Sequence, residues 1–460
     1  MPESTLHPAA AAVVARYRER TKRSIEHDLE AQKYLPGGDT RSRSYVLPHP
    51  PYMVRGQGAR LFDVDGHIYL DMLNNYTSLI HGHVHPPTMD AVRAQLERGS
   101  ILGAPEEIQY RHAAYMTRRV PSLERLRYCN SGTEATMYAL RAARAFTGRM
   151  GVVKMDGGYH GAHETVEVNI TPDLTGQRPP LAKSEYGVPD SILQDVFVAP
   201  FNDSEALAQL LDQRGSEIAA VILEPVLGAG GLVKPRAGYL AELRDLTRRH
   251  GVLLVFDEII TLRLHYSGYQ GLADVRPDLT ALGKIIGGGF PVGAFGGRED
   301  IMAVFDPHRE KYLPHSGTFN GAAVVLAAGL ATLEALNQED IDRLNNLGKR
   351  LQAGFDRVFL DLGVSGWADG CGSLVGLRWG DRRPTTAREA ALSMIASDEI
   401  SKYIHLEMLN QGIYAASRGW FILSTPMGEA EIDQTVEAFR RALTGLKPLI
   451  SDCHPEYLKG

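Results

Sequence analysis

Asp257 and Lys284 are the two residues whose types and placement suggest chemistry. Each stands where an apolar run stops. Val252 to Phe256 ends on Asp257, and Leu279 to Leu282 ends at Gly283 and Lys284, with Gly287, Gly288 and Gly289 just beyond. Short apolar runs bounded this way read as buried parallel strands. A carboxylate and an amine at neighbouring strand ends, beside backbone that a ligand can approach closely, suit a particular reaction type. The amine can form a Schiff base with an aldehyde cofactor. The carboxylate can keep a pyridine nitrogen protonated, so that the ring accepts electrons from a carbanion. Pyridoxal 5′-phosphate (PLP) is such a cofactor. On their own, the two residues read more readily as a helix cap and a solvated loop cation.

Other segments offer matching parts. Asn130 to Glu134 lies between a strand and a helix, and Ser131 with Glu134 has capping-box spacing. The same free N–H groups and helix dipole suit a phosphate, with the Ser131 and Thr133 hydroxyls beside Gly132. Gly157 to Gly161 follows another strand, and Tyr159, flanked by glycines and His160, can lie flat on a planar ring. Ile259 reads as ordinary core or as packing on the other face of that ring. Glu224 also ends a strand, and Thr318 is a turn hydroxyl. His81, His83 and His85 alternate as metal ligands on a strand would, but their motif lacks a carboxylate partner and no metal is expected. A nucleotide P-loop is excluded, because Ile285 follows Lys284 where Ser or Thr is required.

Six blocks carry a resemblance: NSGTEATMYALRAARAFTGR, GGYHG, LEPV, FDEIITLRL, LTALGKIIGGGFPVGAFGG and HSGTFNG. From about residue 30 to residue 440 their order and spacing resemble the class III aminotransferases of PLP fold type I. The resemblance implies that Lys284 carries the cofactor and that Asp257 faces its pyridinium. It places Tyr159 over the ring with Ile259 opposite, and the turn Ser131–Gly132–Thr133, with His160 nearby, around the cofactor. It gives Glu224 a supporting or substrate-gating role. Thr318 becomes a phosphate ligand reaching into the neighbouring subunit's site, which implies a homodimer with shared active sites. HGHVHPP resembles the family's Gly-His-x-His-Pro loop.

The chain has Thr261, Leu262, Arg263 and Leu264 where many members carry Thr-Gly-Phe. With YLPGGDTRSRS and IYAASRGWFILSTP, this is similar to the β-phenylalanine aminotransferase branch and, more distantly, to glutamate-1-semialdehyde aminomutase. The first likeness implies that Arg41 and Arg418 serve substrate carboxylates, as planar guanidiniums do bidentately. Arg43 rivals Arg41. Leu102 to Pro105 resembles the aminomutase loop instead. The expected reaction is transfer of an amino group from an amino acid, β-amino acids included and aromatic or otherwise, to a 2-oxo acid. The alternative is an intramolecular aminomutase of the glutamate-1-semialdehyde type.

Those residues need a scaffold. The 460 residues, 44% hydrophobic and 23% charged, have ordinary globular composition. A net charge of −6 gives no reason to expect nucleic acid. Three widely spaced cysteines form neither a disulfide framework nor a zinc pattern, so a cytoplasmic setting is expected. The Ala/Val run at residues 9 to 15 precedes its basic residues, the wrong order for a signal peptide, and no segment reaches membrane-spanning length. Strands are expected at Leu126–Cys129, Val152–Met155, Val196–Ala199, Ala219–Leu223, Val252–Phe256, Leu279–Leu282 and Gly293–Gly296. A helix is expected over residues 8–33, a hairpin at Asp65-Gly66, a long helix from Ala322 to Leu336 and a strand in GWFILSTP. The expected fold is α/β, fold type I, with a mostly parallel central sheet covered by helices and a smaller α/β domain from the two terminal segments. The expected divisions are 1–74 (helix, arm and hairpin), 75–330 (cofactor-binding domain) and 331–460 (C-terminal small domain).

Overall fold

The computed structural model describes residues 6–41 and 46–459, so Arg43 lies outside the described residues. The chain starts with two helices, Pro8–Arg20 and Lys22–Ala31, where one was expected. Thr21 separates them. Its backbone leaves helical geometry at φ −118° and ψ 42°, and its hydroxyl donates to the Tyr17 carbonyl and pairs with His49 Nε2. A threonine hydroxyl that satisfies local backbone in this way competes with helix propagation. Strands β1 (Met53–Gln57), β2 (Arg60–Asp63) and β3 (Ile68–Asp71) follow. The β2–β3 hairpin turns at Asp65 and Gly66, where φ of 89° requires glycine.

Seven strands form the central sheet: β4 (Arg125–Cys129), β5 (Gly151–Met155), β6 (Val196–Ala199), β7 (Ile218–Leu223), β8 (Leu253–Asp257), β9 (Leu279–Gly283) and β10 (Gly293–Gly297). Their order is β4-β10-β9-β8-β7-β5-β6, and β10 runs antiparallel to both neighbours, so the other six point one way. Every residue of β7, β8 and β9 is buried, because helices cover both faces of the sheet. Each large aliphatic side chain buried there contributes about 1.5–3 kcal/mol. The glycines of β10 have a different use. A Cβ on Gly293 would come within 2.0 Å of the Ser131 carbonyl oxygen, so only glycine lets β10 pass beneath the turn after β4.

The C-terminal part adds β11 (Gly366–Cys371), β12 (Leu374–Trp379), β13 (Ile413–Tyr414) and β14 (Trp420–Ile422). β11, β12 and β14 form a small antiparallel sheet, while β13 pairs parallel with β3. The strand expected across GWFILSTP is only three residues long. The chain bends after Ile422, whose carbonyl accepts from Asn74 Nδ2 at 2.7 Å and whose N–H donates to the Met72 carbonyl. The apolar helix expected from Ala322 runs Ala323–Glu334, and the amphipathic helices Gln338–Asp361 and Glu429–Cys453 pack on the same core. Among the described residues, no helix is long and apolar enough to cross a membrane.

Candidate active site

Five parallel strands deliver their carboxyl ends to one place, as an open α/β sheet dictates. Asp257 ends β8, Lys284 follows β9, Glu224 follows β7, Tyr159 and His160 follow β5, and Ser131 to Thr133 follow β4. All of these, with Ile259 and Arg41, line one pocket of about 400 Å³. Side chains spread from residue 41 to residue 284 are thus brought together.

The turn after β4 opens the helix Gly132–Thr147. Ser131 Oγ accepts from Glu134 N at 3.2 Å, the expected cap. The reciprocal arm differs from a simple capping box, since the Glu134 carboxylate accepts from Asn130 N at 2.9 Å, one residue further back. The Gly132 and Thr133 N–H groups at the start of the helix are left without an intrahelical partner, a setting that suits an anion. Gly132 gives the Ile259 side chain its place, because a Cβ would meet Ile259 Cδ1 at 2.6 Å and displace it.

At the pocket floor the Asp257 carboxylate accepts from Ile259 N at 3.1 Å and from the His160 Nδ1–H at 2.9 Å. Burial lowers the pKa of His160, and its Nε2 is buried with no hydrogen-bond partner. Lys284 holds φ of 50° and has no ion-pair partner within 4.0 Å among the described residues. Burial lowers its pKa, and the nearby Asp257 and Glu224 charges oppose the shift. Glu224 is pushed up to about 8, first by burial and then by Asp257, although its oxygens accept from the Tyr159 and Gly228 N–H groups at 3.1 Å each. A depressed amine, an oriented carboxylate and free first-turn amides match the three demands of PLP, which are an aldehyde partner, a pyridinium partner and a phosphate cradle.

Two expected residues lie elsewhere. Thr318 is exposed and does not line its own chain's pocket. Arg418 does not line it either, and its guanidinium carbon sits 5.2 Å from the Trp420 ring centroid. The histidine motif has the carboxylate partner that its own sequence lacks: His83 Nε2 bonds Asp71 Oδ2 at 2.7 Å, while His81 bonds Thr425 and Thr332 and stacks on His85. Sequence reasoning missed several parts. Asn75, Tyr76 and Phe290 line the pocket. Lys154, buried in β5, donates to the carbonyls of Gly158, Val166 and Val168 beneath the Tyr159 turn. Its one signal was a lone charge in an otherwise apolar strand.

This sheet, with a lysine and an aspartate at adjacent strand ends beside a helix N-terminus, defines a fold-type-I PLP enzyme. The chain belongs to the class-III aminotransferase family, whose sequence profile matches residues 43–443. PLP is therefore its cofactor. It is 41% identical over 434 residues to a glutamate-1-semialdehyde 2,1-aminomutase of Desulforudis audaxviator, covering 92% of this chain and 99% of the relative. Further relatives at 37–39% identity carry the same description. An omega-transaminase from Sphaerobacter thermophilus superposes with a TM-score of 0.89 at 41% identity, over 94% of this chain and 99% of that one. A beta-phenylalanine aminotransferase from Variovorax paradoxus gives 0.86 at 35%, over 96% and 98%.

Proposed function

We propose that the chain is an aminotransferase that moves the amino group of a carboxylate-bearing amino acid, β-amino acids included, to a 2-oxo acid. The observation that carries this reading is the meeting of Lys284, Asp257 and Arg41 in one pocket. Likeness to the two transaminases above supports it. When bound, PLP supplies an aldehyde that takes up nitrogen and a ring that withdraws electrons from the adjacent carbon. This chain's residues do the rest. Arg41 pairs with the substrate carboxylate. Lys284 Nζ, made less basic by burial, takes the proton from the substrate carbon that bears nitrogen. Asp257, held by His160 and the Ile259 N–H, orients the pyridinium. Tyr159 and Ile259 would bracket the ring, while Ser131, Gly132 and Thr133 would hold the phosphate.

Within this reading Glu224 supports the Tyr159 turn, and Thr318 completes the partner's site in a cytoplasmic homodimer. Arg418, which lies outside the pocket, would serve a substrate carboxylate only after a movement toward it. The division into segments 1–74, 75–330 and 331–460 is proposed with it, supported by the pairing of β3 with β13.

A second reading has specific support. The aminomutase description of the curated relatives favours an intramolecular amino shift and, by name, outweighs the transaminase reading. Purified holoprotein given β-phenylalanine or glutamate-1-semialdehyde without an acceptor separates the two. A transaminase stops after one turnover and resumes with a 2-oxo acid. Sustained conversion of the semialdehyde with no acceptor would establish the mutase instead.

A further inference from the structure

Asn74, Asn75, Tyr76 and Thr77 hold φ of 49°, 46°, 53° and 82°. Left-handed backbone is unfavourable for L-residues and is normally visited singly, most often by glycine. Four successive non-glycine residues persist there only when their surroundings over-determine them. Here three neighbours do so. Asp71 Oδ1 accepts from the N–H groups of Leu73 and Asn74 at 2.9 Å each, while its Oδ2 bonds His83. Asn74 Nδ2 donates to the carbonyls of Asp71 and Ile422. The fully buried Arg263 donates to the Thr77 carbonyl at 3.3 Å and is itself held by Ser373 and Leu423.

A turn fixed so firmly presents its side chains in one direction. Asn75 Oδ1 accepts from Arg41 Nη1 at 2.8 Å. Its Nδ2 donates to Ser78 Oγ at 3.0 Å, and that hydroxyl in turn donates to the Asn75 carbonyl, so the amide has a defined orientation. Both Asn75 and Arg41 line the pocket. Arg41 is itself exposed, and a long exposed side chain must be ordered before it can grip a ligand.

We infer that Asn75 is a positioning residue for substrate recognition: the left-handed turn aims its amide oxygen at Arg41 and holds that guanidinium ready for a carboxylate. This rests on the reading of Arg41 as the carboxylate partner. The rigid turn replaces part of the ordering that substrate would otherwise impose on Arg41.

The test uses holoenzyme and a matched pair of amines, β-phenylalanine and 1-phenylethylamine, which differ by the carboxylate. Asn75→Gly keeps a residue at ease with positive φ and removes the acceptor, while Asn75→Asp keeps an acceptor. Asn75→Gly is expected to raise KM for β-phenylalanine about tenfold, the size of one lost charge-assisted hydrogen bond. It should leave kcat and the 1-phenylethylamine KM unchanged, and Asn75→Asp, whose carboxylate pairs with Arg41 and repels the substrate's, should raise the β-phenylalanine KM at least as far. An unchanged β-phenylalanine KM in Asn75→Gly, or equal losses on both amines, overturns the inference. Arg41→Ala separates the two levels. If it raises KM while Asn75→Gly does not, only the positioning role falls. If it leaves KM unchanged, the carboxylate reading falls and the inference with it.

Discussion

On the proposed reading, Lys284→Ala removes both the covalent anchor for the cofactor and the base that takes the substrate proton. Turnover is expected to fall by about 10³-fold or more, measured with saturating cofactor. A wild-type rate would remove Lys284 from the reaction. Glu224 makes a prediction about pH. Its folded-state pKa of about 8 exceeds that of an unfolded glutamate, so between roughly pH 4.3 and 8 the folded chain binds more protons. Stability of the apoprotein should therefore fall as pH rises through that window. In Glu224→Gln the fall should be smaller, seen by comparing Tm at both ends of the window for the two proteins. Lys284 and Asp257 were legible in the sequence because an apolar strand that stops on a charged residue is a local pattern. Asn75 was not, since nothing in NNYT announces a run of positive φ, and its contact with Arg41 spans 34 residues of sequence.

The elements carry the geometry that these residues use. The helix Gly132–Thr147 begins where β4 stops, and Gly132 leaves room there for the tip of the Ile259 side chain, so that on the proposed reading both reach the cofactor. Gly132→Ala should push the Ile259 side chain out of its place against the ring and weaken cofactor binding about tenfold, with little change in the far-ultraviolet circular dichroism spectrum. A titration of apoprotein with PLP checks it, and unaltered affinity would show that Ile259 does not pack on the ring. All seven strands were visible to within one residue, because β7, β8 and β9 are continuous apolar runs and β10 is set off by its glycines. The break at Thr21 was hidden, since it depends on His49 arriving from a distant arm. The Glu134 carboxylate reaching Asn130 was hidden for a smaller reason: capping-box spacing does not say which N–H the carboxylate will choose.

For the whole molecule the strongest expectation concerns assembly. Thr318 sits on the exterior of its own chain. If it completes a partner's site, subunits carrying Lys284→Ala and subunits carrying Thr318→Ala, mixed and reassociated, should regain about a quarter of wild-type activity. Half the dimers would be mixed, and each of those would hold one intact site. No recovery in mixtures shown to have exchanged subunits would confine each site to one chain.

The pairing of β3 with β13 also sets a timetable. A ribosome finishes Asp71 about 340 residues before it reaches Tyr414. At roughly 5–20 residues per second, β3 waits tens of seconds with one edge open. Open strand edges recruit other chains. The Asn74 amide waits longer still, for the Ile422 carbonyl. The wall of the pocket that is translated first is therefore the last to set, and cofactor cannot template it on the nascent chain.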